Sequence, residues 1–195
     1  MNGDGAGPGA PVILAWRHPR AIGAEGRCIG RTDLRVDPRR AKRLAHRLRS
    51  LARREGLPRV VHTSDLRRAR DVGRWLRRWG WSLVVDARLS ELDFGDWDGR
   101  RWDEIARGEV DAWSADLAHA RPGGGESQAA LCARVRAFVE DARREAGEGG
   151  ARCRLVVSHG GWIAALARGM RPVDRAASWT PPPAHGVLSR VGLPA

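Results

Sequence analysis

Four short apolar runs, separated by stretches of helical periodicity, restrict the fold more than anything else in the chain. They are PVILAW (11–16), RVVHTS (59–64), SLVVD (82–86) and CRLVVS (153–158). Each is too short for a helix and reads as a strand, and PVILAW and CRLVVS run apolar without alternation, which is the pattern of a strand buried on both faces. Between the first two, RRAKRLAHRLRSLARR sets Leu44, Leu48 and Leu51 on one face of a helix expected over 38–55. Asp37 is its expected N-cap and Pro38 its first residue. Leu66, Ala69, Val72, Trp75 and Leu76 share a face of a second helix over 65–79. Further helices are expected from about Trp102, over 126–146 and over 162–170, and VLSRVGL (187–193) reads as a closing edge strand. Strands alternating with helices predict an α/β fold: a three-layer α/β/α sandwich around a mostly parallel central sheet.

The 195 residues suit one domain, expected over 11–195 behind a Gly/Pro-rich, disordered leader at 1–10. The leader has neither the basic start nor the apolar centre of a signal peptide, and no apolar run reaches the length of a membrane span. Three widely spaced cysteines, Cys28, Cys132 and Cys153, fit free thiols and a cytoplasmic location. The net charge of +12 suggests nucleic acid as a partner. Yet Lys42 is the single lysine, and the arginines are spread over amphipathic helices, so they read as solvated faces. The tryptophans read as packing. The expected partner is therefore a small molecule, with no nucleic acid and no membrane; oligomeric state is left open, a homodimer included.

Each strand candidate except the last ends in or leads to a reactive residue. Arg17 and His18 follow the first, Ser64 to Arg68 the second, Glu91 the third and His159 the fourth. In open α/β sheets ligands bind beyond the carboxyl ends of the strands, so these residues should share one rim. Arg17 and Arg68 are planar, permanently charged forks suited to phosphate oxygens. Gly160 and Gly161 open a helix whose start offers N–H groups to an anion. On such a phosphate, His18 can act as nucleophile. Glu91 can give a proton to the leaving oxygen and later take one from water. This chemistry requires no metal and no cofactor.

Taken in order, these segments resemble the histidine phosphatase superfamily, which includes the cofactor-dependent phosphoglycerate mutases. RH (17–18) is similar to the start of the family's RHG motif, SDLRRAR (64–70) to its S-x-L-x-R-A segment, and ELDFGDWDG (91–99) to its acid-bearing loop. GGES (124–127) is similar to a loop near the phosphate, and VVSHGG (156–161) carries the second histidine. The resemblance implies a phosphoglycerate mutase-like fold. Its catalytic set would be His18, Glu91, His159, Arg17 and Arg68, with Gly160, Arg31, Glu126 and Ser127 added for phosphate or substrate. RHPRAIGAEGRCIGRTDL (17–34) further resembles the α-ribazole phosphatase branch, which implies dephosphorylation of α-ribazole 5′-phosphate in cobalamin lower-ligand assembly. Cys28 then belongs to a substrate-side loop or is a small buried residue. Pro19 replaces the glycine of RHG, no RHGET threonine follows, and Asp98 stands where the acid loop often has Glu. The alternatives are a broad small-molecule phosphatase, a mutase-like protein, and a non-catalytic binding or regulatory protein on the same fold.

Overall fold

A computed structural model describes residues 10–169 and 181–193. Residues 1–9 of the expected leader lie outside the described residues. Strand β1 (Val12–Arg17) leads to helix α1 (Pro38–Arg54), β2 (Val60–Thr63), α2 (Arg67–Arg78) and β3 (Ser82–Val85). A long loop with short 3-10 turns and a nine-residue helix, α3 (Arg107–Ala115), leads to α4 (Gln128–Gly147). Then come β4 (Cys153–Ser158), α5 (Gly160–Gly169) and β5 (Leu188–Gly192).

The strands lie in the order β3-β2-β4-β1-β5, all parallel except β5, which runs antiparallel along β1 as the edge. Neighbouring residues of β1 project to opposite faces, as the period of two requires. Leu14 and Trp16 pack with Leu44 and Leu48 of α1 and with Val72 and Leu76 of α2. Ile13 and Ala15 pack with Leu131 and Phe138 of α4 and with Trp162 and Ile163 of α5. Two apolar layers therefore sandwich the sheet, and the three-layer architecture follows. Each fully buried large side chain contributes about 1.5–3 kcal/mol.

Helix α1 starts where the sequence puts it. The Asp37 carboxylate accepts from the Arg39 N–H at 2.7 Å, with Pro38 in the first turn. Such a cap is worth about 1 kcal/mol. The helix expected from Trp102 is broken. Trp102–Glu104 is a single 3-10 turn, and the chain then extends at Ile105 and Ala106 (ψ 130° at both) before α3 begins. The break lets Ile105 pack with Cys28 and Trp97 in a small separate core. Among the described residues no helix is long and apolar enough to cross a membrane.

The fold's main consequence for function is the register of β1 against β4. Arg17 pairs with Ser158, and the His18 N–H donates to the Ser158 carbonyl at 3.0 Å. The residues that follow each strand, His18 and His159, are thereby set side by side at the carboxyl edge.

Candidate active site

His18 and His159 face each other with ring centroids 4.9 Å apart, and both are buried. Their hydrogen bonds define the tautomers. His18 Nδ1 lies 2.6 Å from the Pro19 carbonyl, which can only accept, so Nδ1 carries the proton and Nε2 keeps a lone pair. His159 Nε2 contacts Ser64 Oγ at 2.7 Å, while its Nδ1 accepts from Arg68 Nε at 3.2 Å. The same Nε–H reaches His18 Nε2, also at 3.2 Å. Burial, reinforced by the Arg68 charge, holds both histidines well below the ordinary imidazole pKa, so both are neutral.

Arg68 is 1% exposed and stands at the second position of α2. Its Nη1 donates to the Thr32 carbonyl at 2.7 Å and its Nη2 to the Gly30 carbonyl at 2.5 Å. Arg17 donates from Nη1 to the Pro183 carbonyl at 2.8 Å, and its buried Nε has no hydrogen-bond partner among the described residues. Burial lowers the pKa of both guanidiniums and Glu91 opposes the shift, but arginine stays protonated in proteins.

Glu91 approaches from the loop after β3. Its Oε2 accepts from the Gly161 N–H at 3.0 Å and its Oε1 from the Leu92 N–H at 3.1 Å. Glycine lets other groups approach closely at 160 and 161. A Cβ on Gly160 would lie 2.8 Å from Pro182 Cβ and 3.0 Å from Arg17 Cζ, and one on Gly161 would lie 2.5 Å from Glu91 Oε1. The start of α5 thus meets an acid and a cation at once.

These groups open into a cavity of about 410 Å³, a size that takes a small organic molecule. Arg17, His18, Arg68, Glu91 and Gly160 line it at one end, and Ile29, Phe94, Trp102 and Trp113 form an apolar wall. A phosphoryl group at the charged end would meet two cations, a nucleophilic nitrogen and a carboxyl group.

The sequence matches the histidine phosphatase superfamily (branch 1) over residues 13–193. The chain belongs to that family. It is a phosphatase, a phosphoric monoester hydrolase. A glucosyl-3-phosphoglycerate phosphatase of Mycobacterium tuberculosis is 37% identical over 156 residues, 70% of each chain. The structure of mycobacterial glucosyl-3-phosphoglycerate phosphatase in complex with VO3 superposes with a TM-score of 0.74 at 30% identity, covering 93% of this chain and 90% of that one. A putative α-ribazole-5′-P phosphatase from Escherichia coli gives 0.77 at 25% identity, covering 93% and 89%.

In this phosphatase the structure brings His18, His159, Arg17, Arg68, Glu91 and Gly160 together. It does not bring Arg31, Glu126 or Ser127 with them; those three line a separate groove with Asp93, Asp96 and Arg121. The Arg31 backbone N–H is tied to Asp98. Glu126 is engaged by Arg134, whose Nε and Nη2 donate to its two carboxylate oxygens at 2.8 and 2.9 Å. Arg134 in turn donates to the Ser90 and Glu91 carbonyls at 2.6 and 3.0 Å. Glu126 therefore braces the backbone that carries Glu91. Ser127 is the N-cap of α4, accepting from the Ala130 N–H at 3.2 Å. The next residue, Gln128, is the one that lines the cavity.

Cys28 is a small buried residue and does not contact the cavity. It is fully buried beside Trp97 and Ile105, and burial pushes its thiol up to about 12. Two tryptophans exceed a packing role: Trp102 and Trp113 face the cavity, and Trp102 is 40% exposed. His185 is a further addition to the site. Its ring is centred 5.2 Å from that of His18, and its Nδ1–H donates to the His18 carbonyl at 3.0 Å. Arg27 and Arg168 also line the cavity. No local motif marks these residues, although a tryptophan in a polar, glycine-bearing loop without helical partners is itself a signal.

Proposed function

We infer that the chain hydrolyses phosphomonoesters through a phosphohistidine formed on His18. The observation that carries this reading is the His18 hydrogen bond to Pro19, which puts the proton on Nδ1 and leaves Nε2 with a lone pair, met among the described residues only by the Arg68 Nε–H that it shares with His159. Arg17 and Arg68 would hold the phosphoryl oxygens and offset their charge as phosphorus is attacked. His18 Nε2 forms the N–P bond while the ester P–O bond breaks, and Glu91 protonates the departing oxygen. Water then attacks phosphorus, Glu91 takes its proton, and His18 is released with free phosphate. His159, kept neutral and oriented by Ser64, shares the Arg68 Nε–H with His18 and so helps to place that guanidinium beside the nucleophile.

The substrate reading rests on the apolar part of the cavity lining. Ile29, Phe94, Trp102 and Trp113 suit a planar, apolar leaving group, and α-ribazole 5′-phosphate carries an aromatic base on its ribose. The 17–34 segment supports the same choice. A second reading, glucosyl-3-phosphoglycerate, is favoured by Arg27 and Arg168 on the same lining, which suit a carboxylate, and by the mycobacterial relatives.

The test is metal-free phosphate release from both compounds, 3-phosphoglycerate, nucleoside monophosphates and p-nitrophenyl phosphate, with His18→Ala as control. A marked kcat/KM preference for α-ribazole 5′-phosphate supports the first reading. A preference for the glucosyl compound supports the second, and a flat profile discards both. Turnover by His18→Ala would overturn the mechanism itself.

A further inference from the structure

The loop that holds Arg68 is itself held by one carboxylate that does not line the cavity. The backbone N–H groups of Gly30, Arg31 and Thr32 and the Thr32 hydroxyl all donate to Asp98, with Gly30 N at 3.2 Å and Thr32 N at 3.0 Å. A carboxylate receiving several donors in this way is a rigid anchor. The same three-residue stretch presents the Gly30 and Thr32 carbonyls to Arg68 Nη2 and Nη1. With one N–H of each Nη tied to this stretch, the Nε–H is aimed at His18 Nε2 and His159 Nδ1, and the second N–H of each Nη is left for a ligand oxygen.

The loop has no slack to find this arrangement otherwise. A Cβ on Gly30 would lie 2.1 Å from the Leu92 carbonyl oxygen and 2.8 Å from Asp98 Oδ2, so the backbone at 30 is pressed against the acid-bearing loop. Asp33, next in the chain, accepts from the Arg67 N–H at 2.6 Å and pins the first residue of α2. The G-R-T-D segment (30–33) thus fixes the arginine rather than touching the ligand. Asp98 is far from it in sequence.

We propose that Asp98 is a positioning residue of this phosphatase: through the backbone of residues 30–32 it sets the aim of Arg68 on the nucleophile His18. The inference rests on the phosphohistidine reading. It deepens that reading by explaining how a fully buried guanidinium keeps one N–H directed at the attacking nitrogen. Misplacing a catalytic group by about 1 Å costs on the order of 100-fold in rate.

Asp98→Asn keeps the shape but brings an amide N–H against the N–H donors of the loop. The expected result is a fall in kcat/KM on the order of 100-fold, with the inhibition constant for inorganic phosphate rising at least tenfold. A purely structural loss would lower the folded fraction, and so kcat, while leaving KM and phosphate inhibition alone. The pH profile gives a third readout. His18 is faced by Arg68, Arg17, His159 and His185, and Arg68 is the strongest of their charges in holding its pKa down. Loosening Arg68 should therefore move the acid limb of the rate profile to higher pH.

Thr32→Val removes only the hydroxyl bond and covers the case in which Asp98→Asn does not fold. Its kcat/KM should fall on the order of tenfold while the loss of one hydrogen bond leaves the protein folded at the assay temperature. Wild-type kcat/KM and phosphate inhibition in folded Asp98→Asn, or in Thr32→Val, with His18→Ala inactive, would overturn the positioning role and leave the mechanism standing. An active His18→Ala would overturn the mechanism first.

Discussion

Replacing Gly161 by alanine puts one methyl group against the carboxylate read as the proton donor. The added Cβ would lie 2.5 Å from Glu91 Oε1 and 3.3 Å from its Cδ. Ordinary contact begins at 3.4 Å, so the oxygen must retreat by about 0.9 Å. The atom that must move is the far end of a flexible side chain, and Gly161 is the second residue of α5 with no positive φ. Alanine is better than glycine in a helix by up to about 1 kcal/mol. Stability should therefore hold or rise slightly. Activity should not hold, because a displacement of about 1 Å at a proton donor costs on the order of 100-fold. That loss should appear with sugar or alkyl phosphates, whose leaving oxygens need a proton. With p-nitrophenyl phosphate, whose leaving group is already a stable anion, it should stay below about fivefold. The assay is kcat/KM on the two ester classes beside a thermal melt. Equal losses on both classes, or unchanged turnover of the alkyl ester, would refute the assignment of Glu91 as the acid.

His18 is held neutral by burial and by Arg68, so kcat at saturating substrate should stay level as pH falls through 6.5 and decline only further down; an acid limb centred on 6.5 would contradict that. His62, half-buried beside the Phe138 ring, has its pKa lowered from 6.5 to about 4, chiefly by desolvation. The unfolded chain therefore takes up this proton first. Stability is complete above about pH 6.5 and falls between there and pH 4, by at most about 3 kcal/mol. Denaturant titrations of wild type and His62→Gln across that window measure the difference, and parallel curves would exclude His62. Ser64→Ala removes the partner of His159 Nε2 and leaves a buried N–H unpaired. It should cost about 1–3 kcal/mol, a drop in Tm of roughly 2–10 °C; an unchanged melt would mean that the ring finds another acceptor.

The sequence by itself determined the layered fold and which residues meet at the carboxyl edge of the sheet. Those features are local. Continuous apolar runs mark strands covered on both sides, 3.6-residue periodicity marks helices, and a catalytic residue placed directly after a strand inherits its position from that strand. His18 and His159 needed only the knowledge that parallel strands end on one edge. Edge strand β5 was legible too, as a short apolar stretch after a proline-rich segment.

What only the tertiary structure decided is where the loop side chains go. Glu126 and Arg31 carry the charges expected of substrate ligands, yet Arg134 engages the one and Asp98 holds the backbone of the other, and both line a groove other than the cavity. Gln128, Trp102, Trp113 and His185 face the ligand space without any motif to announce them. Asp98 acts on residues 66 to 68 positions earlier in the chain. A loop has no periodicity to fix its side chains. Their direction is set by hydrogen-bond partners and packing surfaces distant in sequence, which exist only once the sheet and its helices have assembled.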